Sequence, residues 1–88
     1  MNEKYIGKIS LEFNTVTDAE NIYVALYPET IKVPSHRSRY ELYIQDKRVV
    51  IAIYSKDITS FRAAVNTMLR LLQTIEPLIK RSYEMKTL

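Results

Sequence analysis

Arg39-Tyr-Glu-Leu-Tyr-Ile-Gln45-Asp46-Lys47-Arg48-Val-Val-Ile-Ala-Ile-Tyr-Ser55 is the stretch on which the fold turns. Two runs with two-residue alternation flank the dipeptide Asp46-Lys47. Alternation over seven or eight residues is the signature of a strand with one buried face. A two-residue turn fixes the pairing: Ile44 opposite Val49, Leu42 opposite Ile51, Tyr40 opposite Ile53. Every pair on that face is apolar on both sides, and a one-residue slip would send all six side chains to the other face. The opposite face pairs Tyr43 with Val50, Glu41 with Ala52 and Arg39 with Tyr54, and is only half polar.

Upstream, Lys4 to Phe13 alternates in the same way, with Tyr5, Gly7, Ile9, Leu11 and Phe13 on one side. Between this strand and the hairpin, Val16, Ala19, Tyr23 and Leu26 have helical spacing. Thr17 with Glu20 forms a capping box, and Thr15 with Asp18 a near variant. The residue before a proline is pushed out of the α region, so this helix stops before Pro28. Residues 31–38 connect it to the hairpin.

Downstream, Asp57 is a good helix N-cap. Ile58, Phe61, Val65, Met68, Leu72, Ile75 and Ile79 then follow at steps of three and four. The spacing predicts one long helix, kinked at Pro77, fraying near Met85 and outrunning the sheet beneath it. The order is β-α-β-β-α, an α+β fold of one domain spanning residues 1–88. A right-handed crossover lets the first two strands lie parallel with the third between them, giving a three-stranded antiparallel sheet with both helices on one face. The topology is KH-like, yet the Gly-x-x-Gly loop by which KH modules grip RNA is missing, since Gly7 is the only glycine.

Composition narrows the function classes. The chain has 88 residues, no cysteine, one histidine and a net charge of +3. Without cysteine there is no disulfide framework, zinc-thiolate site or thiol nucleophile. No apolar segment follows Met1-Asn2-Glu3-Lys4, and no run of about 18 apolar residues occurs, so the expectation is a cytoplasmic protein away from membranes. Charge is uneven: residues 1–29 carry −3 and residues 30–88 carry +6.

No constellation points to chemistry. His36 stands in a Pro-Ser-His-Arg-Ser loop without a second ligand type, so no metal site is expected. Asp57, Ser60 and Arg62 read as helix cap and surface residues, and neither catalytic residues nor a cofactor are expected. Lys56, Arg62 and Arg70 are candidates for contact with nucleic-acid phosphates or a partner. Tyr43 and Tyr54 fall on the open sheet face, where aromatics can stack on bases or line a protein interface. The apolar arc of the long helix exceeds what a helix lying on a small sheet needs. Its flank at Ala64, Leu71 and Leu78, with Tyr23 and Leu26 of the first helix, is therefore expected to bind a partner.

Asp57-Ile-Thr-Ser60-Phe61-Arg62-Ala63-Ala64-Val65-Asn66-Thr67-Met-Leu69-Arg70 also carries a resemblance. It resembles the small Pcc/CTAG-type subunit of the KEOPS (EKC) complex, in its archaeal form. Asp57, Ser60, Arg62, Ala63, Asn66, Leu69 and Arg70 match the pattern as they stand. Phe61 replaces the usual Leu and Thr67 the usual Ser. The first helix, ending Leu26-Tyr27-Pro28-Glu29, is similar to the family's Leu-x-Pro-Glu end. The resemblance implies a non-enzymatic assembly subunit: a homodimer, each protomer docking a catalytic threonylcarbamoyltransferase subunit. The assembled complex installs threonylcarbamoyl on adenosine 37 of tRNA. The competing reading is a stand-alone KH-like RNA-binding module, which would bind tRNA by itself with strong salt dependence.

Overall fold

The computed structural model describes residues 3–32, 35–74 and, for the backbone, 80–87. Strand β1 spans Tyr5–Glu12, helix α1 Val16–Leu26, strand β2 Ser38–Gln45, strand β3 Arg48–Ser55 and helix α2 Ile58–Leu72. The order is the expected β-α-β-β-α through Leu72, and a further strand, β4 (Lys80–Thr87), follows it. The sheet runs β2-β3-β1-β4. Each neighbouring pair is antiparallel. β3 thus lies between β2 and β1, the order that a right-handed crossover allows.

The hairpin has the expected register: Ile44 faces Val49, Leu42 faces Ile51 and Tyr40 faces Ile53. It turns without glycine because Asp46 takes a left-handed conformation (φ 57°). Asp tolerates that region better than most side chains, since its short polar group bonds locally. Both helices pack on the face formed by Ile9 and Leu11 of β1, Val49, Ile51 and Ile53 of β3, and Tyr40 of β2. Ala19 and Leu26 of α1, with Phe61, Ala64, Val65, Met68 and Leu72 of α2, complete this core. Each fully buried isoleucine or methionine contributes about 1.5–3 kcal/mol.

The helix starts are set by side-chain caps. Thr15, not Thr17, caps α1, its Oγ1 accepting from the Asp18 N–H at 3.0 Å. Asp57 caps α2, with Oδ1 accepting from the Ser60 N–H at 2.8 Å. α1 ends before Pro28 in a short 3-10 turn, Tyr27–Thr30.

The last third departs from the sequence expectation. α2 stops at Leu72, and the sequence expected to continue it includes β4, paired with β1 from Tyr5↔Thr87 to Glu12↔Lys80. At 15 residues α2 is about 22 Å long, shorter than an eight-residue strand, so among the described residues it does not overhang the sheet. Two physical terms oppose the long helix. A proline inside a helix removes a hydrogen bond and clashes, at about 3 kcal/mol. The outer edge of β1 offers eight positions of backbone pairing that a helix there would leave open. Pro77, Leu78 and Ile79, expected at the kink and the overhang, lie outside the described residues, while Tyr83 and Met85 belong to β4.

Candidate interaction surfaces

Three surfaces hold the candidate residues. The first surrounds the start of α2. The Arg37 guanidinium pairs with Asp57 Oδ2 while Oδ1 holds the Ser60 N–H. Together these push the Asp57 carboxyl down to about 2, the backbone hydrogen bond being the larger cause. Beneath them the buried Ser38 hydroxyl lies 2.9 Å from Ser55 Oγ and 3.2 Å from the Ser60 carbonyl. Ser55 Oγ in turn reaches the Asp57 carbonyl at 3.1 Å. This hydroxyl chain bolts α2 to the ends of β2 and β3. Asp57 and Ser60 are thereby explained by folding, and Ser38, Ser55 and Arg37 are supporting residues that sequence reading passed over. Small hydroxyl residues at adjacent strand ends were the available signal.

The second surface is the sheet face opposite the helices. Tyr43 and Tyr54 lie there, as expected; Tyr43 stays 47% exposed, while the Tyr54 ring is covered. The Arg39 guanidinium covers the Tyr54 ring, 4.0 Å from its centroid. Arg39 also pairs with Glu41 at 2.6 Å and Glu3 at 3.1 Å. The Tyr43 hydroxyl donates to Glu41, which pulls the Glu41 carboxyl below its ordinary value and pushes the Tyr43 phenol up to about 12.

The third surface is the outside of the helical layer. Arg62 and Arg70 are exposed on α2, with Ala63 and Asn66. Among the described residues, no hydrogen bond or ion pair engages the side chains of Arg62, Asn66 or Arg70. Lys56, just before α2, is half-buried. On the other helix, Val24, Tyr27 and Ile31 are 70%, 53% and 72% exposed, at spacings of three and four. Among the described residues, none of these three belongs to the chain's own core. Sequence reading missed them, although the spacing was available.

The predicted partner-binding set divides accordingly. Ala64 and Leu26, 0% and 2% exposed, are spent in the chain's own core and offer no docking surface. Their positions on a helical wheel did not distinguish the core side from the outer side of a wide apolar arc. Tyr23 and Leu71 are half-buried against that core, leaving part of each side chain accessible. Leu78 lies outside the described residues. His36 is exposed, and no group of three or more His, Cys, Asp or Glu comes together among the described residues. No helix among the described residues is long and apolar enough to cross a membrane.

Residues 7–80 match the family model described as transcription factor Pcc1. The chain belongs to the Pcc1 family. A curated relative, the KEOPS complex subunit Pcc1 of Pyrococcus abyssi, is 36% identical over 64 residues, covering 73% of this chain and 78% of the relative. Among solved structures, the de novo designed protein Foldit4 superposes with a TM-score of 0.71 at 14% identity, over 98% of this chain and 99% of that one. That likeness concerns the fold alone. Within this Pcc1-family chain, the residues that carry the family resemblance fall into two groups. Asp57, Ser60 and Leu69 serve the cap and the core. Arg62, Ala63, Asn66 and Arg70 face outward.

Proposed function

We propose that the chain is a non-catalytic subunit of a KEOPS-type complex, cytoplasmic and dimeric, that docks the threonylcarbamoyltransferase subunit. Through the assembled complex it supports formation of N6-threonylcarbamoyladenosine at position 37 of tRNA. The curated relative's name supports the complex. The observation that carries the docking role is the exposed stripe Val24, Tyr27 and Ile31. Contiguous apolar surface of this kind on a small chain marks a protein interface. The accessible part of Tyr23, whose ring lies 6.3 Å from that of Tyr27, extends it, and outward-facing Arg62, Asn66 and Arg70 supply polar specificity. Lys56, Arg62 and Arg70 are the residues proposed to meet tRNA phosphates in the complex.

The stand-alone RNA-binding reading is the weaker one. Base stacking needs open aromatic faces, and Arg39 occupies that of Tyr54. The discriminating experiment is co-purification with the catalytic subunit. Ile31→Asp places a charge in the stripe at a position the core does not use. It should abolish co-purification while leaving the far-UV circular dichroism unchanged. Retained co-purification by a folded Ile31→Asp variant overturns the docking assignment.

A further inference from the structure

The two helices divide the charge of the helical layer by sign. α1 carries Asp18 and Glu20 and no lysine or arginine. α2 carries Arg62 and Arg70 and no aspartate or glutamate. All four side chains are exposed. Among the described residues, none of the four enters an ion pair. The acids at the helix ends are already taken, Asp57 by Arg37 and Glu29 by Lys32.

Ordinary helix chemistry leaves part of this pattern unexplained. Exposed helices gain from opposite charges set three or four residues apart. The positions three and four residues to either side of Glu20 and of Arg62 hold no opposite charge. Helix dipoles account for the other two residues. Asp18 lies in the first turn of α1 and Arg70 in the last turn of α2, each at the pole that favours it. Glu20 and Arg62 are each the fifth residue of a helix, past the terminal turn where that effect acts.

We infer that this division orients the docking partner: the catalytic subunit presents a basic segment over α1 and an acidic segment over α2. The inference rests on the docking reading above and names the chemistry of the surface that the helices receive. Glu20 joins the charge pattern to the docking stripe, since it shares a shallow groove with Val24. A layer of both signs around apolar side chains suits a protein better than RNA. A phosphate backbone crossing it would meet Asp18, Glu20 and the apolar stripe as well as the two arginines. Charges at the rim of an interface steer the encounter and suppress wrong orientations. A partner turned by half a revolution would bring acid onto Asp18 and Glu20 and base onto Arg62 and Arg70. Like charges would then oppose each other on both helices, so one orientation is selected. Steering needs no buried pair, so it does not withdraw Arg62 and Arg70 from tRNA in the assembled complex.

The test reverses the pattern without changing the net charge. Asp18→Lys with Glu20→Lys raises the charge by four units, Arg62→Glu with Arg70→Glu lowers it by four, and the chain keeps its +3. The readout is the association rate with the catalytic subunit, measured against salt. At low salt the fourfold variant should associate about tenfold more slowly than the native chain. The two rates should converge at about 1 M salt, where the Debye length is about 3 Å. Far-UV circular dichroism checks the fold of the variant. Glu20→Lys and Arg62→Glu, made singly, leave the terminal turns untouched and should each slow association in the same direction. Equal rates for the native chain and the folded variants at low salt overturn the inference and leave docking intact. Equal rates together with weaker tRNA binding by the assembled complex also overturn it, and give Arg62 and Arg70 to RNA alone. A native chain that does not associate at any salt overturns the docking reading itself.

Discussion

Tyr40 offers a sharp test of how α2 is held. Its ring is buried in the core, and its hydroxyl donates to the Ala64 carbonyl at 2.6 Å. Tyr40→Phe keeps the ring and removes only that hydrogen bond, which is worth about 0.5–1.5 kcal/mol net. For a domain of this size, about 1 kcal/mol shifts the melting temperature by roughly 4–8 °C. The pH dependence adds a second readout. Burial pushes the Tyr40 phenol up to about 12, from an ordinary value of 10. A raised folded-state value means that the tyrosine's contribution is fully present below pH 10 and is lost as pH climbs toward 12. The difference between wild type and Tyr40→Phe should therefore hold from pH 7 to 9 and shrink above pH 10. Urea unfolding followed by far-UV circular dichroism at one fixed protein concentration measures it, since association shifts apparent stability. Identical midpoints at pH 7 would refute the tether. A difference that stays constant to pH 11.5 would refute the titration argument.

Two further outcomes follow from the other surfaces. Asp57→Asn retains an N-cap but loses the charge that Arg37 pairs with. Because the Asp57 carboxyl is depressed to about 2, its stabilisation is present above pH 4 and lost as pH falls toward 2; the variant should lack that acid-dependent component in unfolding titrations. Arg62→Ala with Arg70→Ala, in the assembled complex, should weaken tRNA binding evenly across tRNA sequences. The slope of log K against log salt should shrink by about 1–2, and an unchanged slope would remove both residues from the RNA path.

The hairpin was fully legible because two independent constraints agreed: a two-residue turn and an all-apolar pairing. The caps at Thr15 and Asp57 were legible from local hydrogen-bond chemistry. The end of α2 was not. Helical spacing runs unbroken from Ile58 through Ile79 in the sequence, and what competes with it is non-local: the outer edge of β1, eight residues long and open to pairing. Two-residue alternation of polar and larger side chains from Lys80 to Thr87 was the available hint, half-polar and weak. The burial of Ala64 and Leu26 was not legible for a related reason. Alanine fits either side of a helix, so Ala64 read as surface when Tyr40 and the sheet enclose it. Tyr27 and Ile31 escaped notice because the helix was expected to stop before Pro28, and their exposure shows only in the 3-10 turn that follows it.

As proposed, this Pcc1-family chain acts as an assembly subunit whose exposed surface serves partners. Light scattering of the chain mixed with a threonylcarbamoyltransferase subunit of the KEOPS type tests it most directly. A stable mixed species heavier than either component, lost with Ile31→Asp, is the expected result. Two separate peaks, each at the mass of its unmixed component, would contradict it.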